Sequence, residues 1–190
     1  MVKDLGLLIL RLTVGGLLGG HGSQKLFGWF GGYGIQGTAG FMESMNFKPG
    51  HLWAGAAGAS EFGGGALTAL GFLHPLGPIG TLAAMIVASL TAHGGKPIWS
   101  AEGGAELPVT NIAAALALAL SDPGRFSLDS LFGIRLPRAL VITVVLVEAA
   151  LVGVAIYKPS ILAPSTTTTA PATNDSSAAM VEGGQGADSL

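Results

Sequence analysis

The chain has 190 residues, of which 31 are glycine and none is cysteine; 49% are hydrophobic and only 11% are charged, with a net charge of −2. Soluble domains carry about 25% charged residues, so this composition argues against an ordinary soluble globule. Nine Lys and Arg face eleven Asp and Glu without a basic block, which argues against a nucleic-acid-binding protein. The absence of cysteine excludes thiol catalysis, disulfides and Cys-ligated metal centres.

Five apolar segments are candidates for membrane-spanning helices, which need about 20 mostly apolar residues. Each segment ends at a turn rich in glycine or proline. The sequence therefore predicts an all-α polytopic membrane helical bundle, with four core transmembrane helices and a fifth C-terminal one. The five predicted spans are residues 5–24, 52–73, 76–93, 107–121 and 139–157.

Glycines are unusually frequent inside the first two predicted spans. Small residues allow the backbones of membrane helices to approach closely and gain van der Waals contact. A tightly packed bundle is therefore favoured over separate anchors.

Between these spans, residues 37–47 place Phe41, Met42 and Met45 on one helical face, which predicts a short amphipathic helix at the membrane interface.

The basic residues set the predicted orientation. Arg125, Arg135 and Arg138 cluster between the fourth and fifth spans, and Lys3 precedes the first. Because cytoplasmic loops are enriched in Lys and Arg, we predict a protein of the cell membrane whose N-terminus lies in the cytoplasm.

Three regions are predicted: a four-helix domain over 1–130, an additional transmembrane helix over 131–158, and a disordered Thr/Pro/Gly-rich tail over 159–190 outside the cytoplasm.

Two charged residues lie deep in the predicted spans, Arg11 in the first and Glu61 in the second. These spans are antiparallel, and the two residues are expected at comparable depths. They are therefore predicted to form an intramembrane ion pair. Either the pair only neutralises both charges and sets the packing register, or it forms a site for a proton or a quinone carbonyl.

Four polar residues are expected to meet at the outer end of the bundle: His21, Lys25, His93 and Glu106. A histidine can donate a proton near neutral pH, so this cluster would suit a quinone head group. Alternatively, all four side chains anchor the helices at the interface. Two histidines also suit haem ligation, although no CxxCH motif is present. No metal-ligand spacing, nucleotide loop or flavin motif is found, so no intrinsic cofactor is evident.

Three further ionisable residues have weaker predictions. Glu148 lies in the fifth span without a partner in the sequence, and pairing across a homo-oligomer interface is one option for it. His51 and His74 are predicted to lie at the membrane boundary.

Several motifs resemble the start of DoxX family membrane proteins: LILRL at 8–12, HGSQKLFGWFGG at 21–32, GTAGF at 37–41 and EFGG at 61–64. DPGRFSLD at 122–129 resembles the family's exit from its fourth helix. The resemblance covers roughly residues 5–130 and implies a four-helix membrane bundle, to which the fifth span and the tail are additions. It places family-typical polar positions at Arg11, His21, Gln24, Lys25 and Glu61.

The resemblance also implies a link to redox systems, because family members include a subunit of a quinone-reducing thiosulfate oxidoreductase. The first hypothesis is therefore an integral membrane redox subunit that binds quinone at the outer cluster and receives electrons from a protein partner. The second hypothesis is a non-enzymatic membrane scaffold that recruits soluble redox or stress-response enzymes. Both hypotheses make the lipid membrane a partner and exclude nucleic acid.

Overall fold

The computed structural model describes residues 1–157 and 159–160. In this part of the chain there are seven α-helices, two short 3₁₀ helices and no strand. The all-α prediction is therefore confirmed, while residues 161–190 of the tail predicted over 159–190 lie outside the described residues. The helices are α1 (Val2–Phe27), α2 (Gly34–Ser44), α3 (Gly50–Leu70), α4 (Leu76–Thr91), α5 (Glu106–Ala119), α6 (Leu128–Phe132) and α7 (Arg138–Tyr157).

All five segments predicted as spans are helical, as α1, α3, α4, α5 and α7, and the short helix between the first two is α2. Among the described residues, however, one helix alone, α7, combines the length and apolar composition needed to cross a membrane. The helices α4 and α5 are apolar but shorter. The helices α1 and α3 are long enough, but their glycines and charged residues lower their mean hydropathy.

Glycine contacts set the register between α1 and α3. A Cβ atom placed on Gly15 would lie 2.6 Å from the carbonyl oxygen of Gly65, and one on Gly65 would lie 2.7 Å from that of Gly15. Farther along, Gly22 lies against the backbone of Phe62, and Gly58 lies against Leu26. The two antiparallel backbones therefore touch along their length, as expected where small residues line a helix interface.

The helix α4 packs against α3, α5 and α7. A hydrophobic cluster of Val14 and Leu18 from α1 with Met85 from α4 joins these helices, and Ile112 of α5 packs against it. After α7, the carbonyl oxygen of Pro159 accepts hydrogen bonds from the indole of Trp53 (2.8 Å) and the backbone N–H of Lys48 (3.2 Å). The segment after α7 is thus attached to the α2–α3 connection and to the first turn of α3.

Alternating helix directions create two opposite ends of the molecule. The α6 end contains the start of α1, the α3–α4 connection and the segment from the end of α5 through α6 to α7. The α2 end contains the end of α1, α2, the start of α3 and the α4–α5 connection. At the α2 end, the Thr38 hydroxyl donates hydrogen bonds to the carbonyl oxygens of Gly34 (2.7 Å) and Lys25 (3.2 Å), so α2 is attached to the last turn of α1.

Candidate functional site: the Lys25–Glu61 pair and the groups around it

An ion pair joins α1 to α3 near the α2 end. The ammonium of Lys25 donates a hydrogen bond to Oε2 of Glu61. The side chain of Glu61 is 4% exposed and that of Lys25 is 28% exposed, so the carboxylate is enclosed while the lysine has access to the surface. Because Gly22 and Gly58 lack side chains, the two backbones approach closely enough here to hold both charged groups together.

The predicted ion pair between Arg11 and Glu61 is not formed in this structure. The α1–α3 glycine contacts place Arg11 beside Gly71, just beyond the end of α3, whereas Glu61 lies opposite Lys25. Arg11 and Lys25 are 14 positions apart on the same helix, which corresponds to about 21 Å along its axis. The prediction expected comparable depths from the positions of the two residues within antiparallel spans. The glycine contacts instead offset α1 and α3 along their axes, so that Glu61 lies at the level of Lys25.

Arg11 is instead enclosed at the α6 end. Arg11 is 3% exposed, and its Nη2 donates a hydrogen bond to the carbonyl oxygen of Phe126. Gly71 leaves the space that the guanidinium occupies, since a Cβ atom there would overlap it. Asp129 is the opposite charge that acts on Arg11, while Nε and Nη1 have no hydrogen-bond partner in the described part of the chain.

Asp129 is a key residue of the α6 end that sequence reasoning missed. Its buried carboxylate accepts hydrogen bonds from the backbone N–H groups of Leu73 (2.9 Å) and His74 (2.7 Å). Leu73 has a φ of 52°, a conformation that a leucine rarely adopts and that the carboxylate helps to hold. The sequence did contain a signal for a helix start here. Ser127 is the N-cap residue of α6, because its hydroxyl accepts a hydrogen bond from the backbone N–H of Ser130 (3.1 Å), and Asp129 lies in the first turn of this helix.

The four residues predicted to line one pocket all lie on elements of the α2 end. Lys25 is directed to Glu61, and His21 is exposed. His93 donates through Nδ1 to the carbonyl oxygen of Gly103 (2.7 Å), and Glu106 accepts from the backbone N–H and hydroxyl of Ser100 (2.9 Å each). Over residues 1–157, no hydrogen bond or ion pair joins any two of the four. A shared pocket therefore stays a prediction.

The two histidines predicted at the boundary lie at opposite ends of the molecule. His51 is exposed and donates to the Gln36 side chain (3.1 Å) at the α2 end. His74, at the α6 end, donates through Nε2 to the carbonyl oxygen of Ser121 (2.9 Å). Burial lowers the pKa of His74 below its usual value of 6.5, with partial opposition from this hydrogen bond and from Asp129. At neutral pH His74 is therefore uncharged.

Glu148 lies partly buried on α7 and makes no ion pair with any residue that the structure describes. Within the same residues, no group of three or more His, Asp or Glu side chains is arranged to hold a metal ion.

Comparison with known proteins gives one match. Residues 6–94 match the DoxX family model, and this range contains α2, α3, α4 and nearly all of α1. It includes Arg11, His21, Lys25, Glu61 and His93 but ends before Glu106 and before the motif at 122–129. Neither a curated protein nor a solved structure matches the chain. A helical membrane protein is what this match and the apolar α7 together support, and residues 6–94 are similar to the DoxX family domain.

Proposed function

We propose that this protein is an integral membrane subunit of a redox system that binds a quinone head group beside the Lys25–Glu61 pair. The observation that carries the proposal is the ion pair itself, whose carboxylate is enclosed between two helices of a largely apolar chain. Charged residues inside membrane helices are costly, and where they occur they commonly mark binding sites or proton paths. His21, His93 and Glu106 lie at the same end and are proposed as further residues around the head group.

The proposed chemistry is the reduction of a quinone to a quinol, which takes up two electrons and two protons. The electrons come from a soluble redox protein that docks on the membrane subunit. The partly exposed ammonium of Lys25 donates a hydrogen bond to a quinone oxygen and stabilises the negative charge that develops there. His21, which is exposed and lies one turn before Lys25, transfers a proton from water to the reduced oxygen in this proposal.

The proposed membrane arrangement has α1, α3, α4 and α5 as four core transmembrane helices and α7 as a fifth. Contacts of α1 with α3, α3 with α4, α4 with α5 and α5 with α1 support a closed four-helix core. The 14 residues of α5 extend only about 21 Å against a hydrocarbon core of about 30 Å, so we expect the membrane to be thinned locally or the connection before α5 to enter it.

The same arrangement places the α6 end, with Arg125, Arg135 and Arg138, in the cytoplasm of the cell. Single cysteines at Ala101, at the α2 end, and Ser130, at the α6 end, test this because the native chain has no thiol. With a membrane-impermeant thiol reagent, Ala101→Cys should react on intact cells and Ser130→Cys only after permeabilisation. The reverse pattern would contradict the orientation.

Binding of a short-chain quinone analogue to the full chain in lipid nanodiscs tests the function. Removing a charged hydrogen-bond donor costs about 1.5–3 kcal/mol, so Lys25→Met should weaken binding at least about tenfold. Lys96→Met is the matched control, since Lys96 is an exposed lysine at the same end. His21→Ala, compared with His51→Ala, provides a second pair of exposed positions if Lys25→Met does not fold.

Two outcomes separate the candidate functions. Weaker binding in Lys25→Met and His21→Ala, with both controls unchanged, would support the quinone site. Equal affinity in all of these proteins would remove it and leave the non-enzymatic scaffold as the better description.

A further inference from the structure

A polar cleft of about 710 Å³ opens at the α6 end. It lies between the start of α1, the α3–α4 connection and the segments on both sides of α6. The ionisable residues along it are Asp4, His74, Asp122, Arg125, Asp129 and Arg135. This cleft lies at the opposite end of the molecule from the Lys25–Glu61 pair, so it is a separate site.

Each carboxylate of the cleft is already matched by another group. Asp4 contacts the N-terminal ammonium (3.1 Å) and accepts from the backbone N–H of Arg125 (3.1 Å). Asp122 pairs with Lys3 (3.3 Å). Asp129 accepts the two backbone N–H groups of the α3–α4 connection described above. The acidic residues are therefore engaged within the protein.

The two arginines of the cleft are in the opposite situation. Arg125 and Arg135 are exposed, and neither guanidinium takes part in an ion pair or a hydrogen bond with any residue between 1 and 157. His74 is uncharged at neutral pH and does not add to the positive charge. Two planar, permanently charged donors thus border one cleft without forming an ion pair with any described residue, although the charge of Arg125 also acts on Asp4. Guanidinium groups match phosphate oxygens in shape and charge.

An apolar groove of about 380 Å³ adjoins this cleft and shares Arg125 with it. The rest of the groove is almost entirely apolar, formed by Leu70 at the end of α3 and by Phe126, Leu128 and Leu131 around α6. Phe126 and Leu131 are 51% and 72% exposed, respectively. A charged cleft that continues into an apolar groove matches a molecule with an anionic head and a hydrocarbon chain.

We propose that this site binds an anionic phospholipid, with the phosphate between Arg125 and Arg135 and one acyl chain along the groove. Basic pockets at membrane surfaces commonly bind anionic lipid head groups. Arg11 is a positioning residue for the site, because its hydrogen bond to the carbonyl oxygen of Phe126 holds the segment that carries Arg125. The inference needs the α6 end to lie at a membrane surface but does not depend on quinone binding.

The test compares the affinity of the purified full chain in detergent for phosphatidylglycerol and for phosphatidylcholine by native mass spectrometry. The wild type should prefer phosphatidylglycerol. A basic residue near a membrane contributes about fivefold to the binding of an anionic lipid, so Arg125→Gln and Arg135→Gln should each lower the preference about fivefold. Arg138→Gln is the matched control, since Arg138 lies nearby at the start of α7 but borders neither the cleft nor the groove.

Two additional measurements distinguish a lipid site from a site for free phosphate. Leu131→Gln, at an exposed position of the groove, should weaken phosphatidylglycerol binding and leave the melting temperature unchanged. Glycerol phosphate, which has the head group without chains, should compete poorly. Equal losses in Arg125→Gln and Arg138→Gln, no preference for the anionic lipid, or full competition by glycerol phosphate would each overturn the proposal.

Discussion

Lys25 and Glu61 form their ion pair across the most extensive helix–helix interface of the described residues, between α1 and α3. The pair is possible because glycines on both helices bring the backbones together at this level. The same contacts separate Glu61 from Arg11, the partner predicted for it. Because little water reaches the carboxylate of Glu61, the ammonium of Lys25 is needed to balance its charge.

Removing one member of the pair is expected to destabilise the protein strongly, because the other charged group then stays at the helix interface without its partner. Breaking a buried ion pair costs about 3–5 kcal/mol in soluble proteins, and the partly exposed Lys25 places the value here at the lower end. Thermal unfolding in detergent should show large losses for Lys25→Met and Glu61→Leu. The double variant should lose less than their sum, and simple additivity would contradict the pairing.

Substitution of Gly65 tests the helix register. In Gly65→Ala, the new methyl group would lie 2.7 Å from the carbonyl oxygen of Gly15, so α1 and α3 must separate, at a cost of about 1–3 kcal/mol. Gly63→Ala is the control on the same helix, because nothing lies within 4 Å of its new methyl group. The control should be neutral or slightly stabilising, as alanine favours a helix over glycine. Equal melting temperatures for both variants would rule out this contact.

Asp129→Asn is expected to weaken the α6 end. An asparagine has one side-chain acceptor where Asp129 uses two oxygens, and it also removes the negative charge near Arg11. Losing a hydrogen bond to a charged group costs about 1.5–3 kcal/mol. Asp122→Asn, whose ion pair with Lys3 is on the surface, should cost less than about 1 kcal/mol. Chemical denaturation of both variants checks this, and an equal cost would show that Asp129 is not a structural acceptor.

His74 should make stability depend on pH below neutrality. Because burial lowers its pKa in the folded protein, the unfolded chain binds a proton more readily. The contribution of neutral His74 to folding stability is therefore complete above pH 6.5. It is lost as the pH falls from 6.5 through the lowered pKa that His74 has in the folded protein. Melting temperatures between about pH 7 and pH 5 should fall less steeply for His74→Gln than for the wild type. His51→Gln should retain the wild-type slope, and a wild-type slope in His74→Gln would contradict the mechanism.

The sequence by itself determined the helical class, the positions of the main helices and the DoxX resemblance at the start of the chain. Apolar runs and the turns between them are local features, so they can be identified without knowing how the helices pack. Glu61 was equally visible from its unfavourable position inside an apolar segment, and Lys25 from its position at the end of the first one.

Only the tertiary structure decided which charges meet. Whether Glu61 faces Arg11 or Lys25 depends on the sliding of α3 along α1, and that offset is set by backbone contacts at Gly15, Gly22 and Gly65. The role of Asp129 was hidden for a related reason. Its hydrogen-bond donors, the N–H groups of Leu73 and His74, lie more than 50 residues earlier in the chain. Such contacts follow from packing between distant segments, which no local pattern of residues encodes.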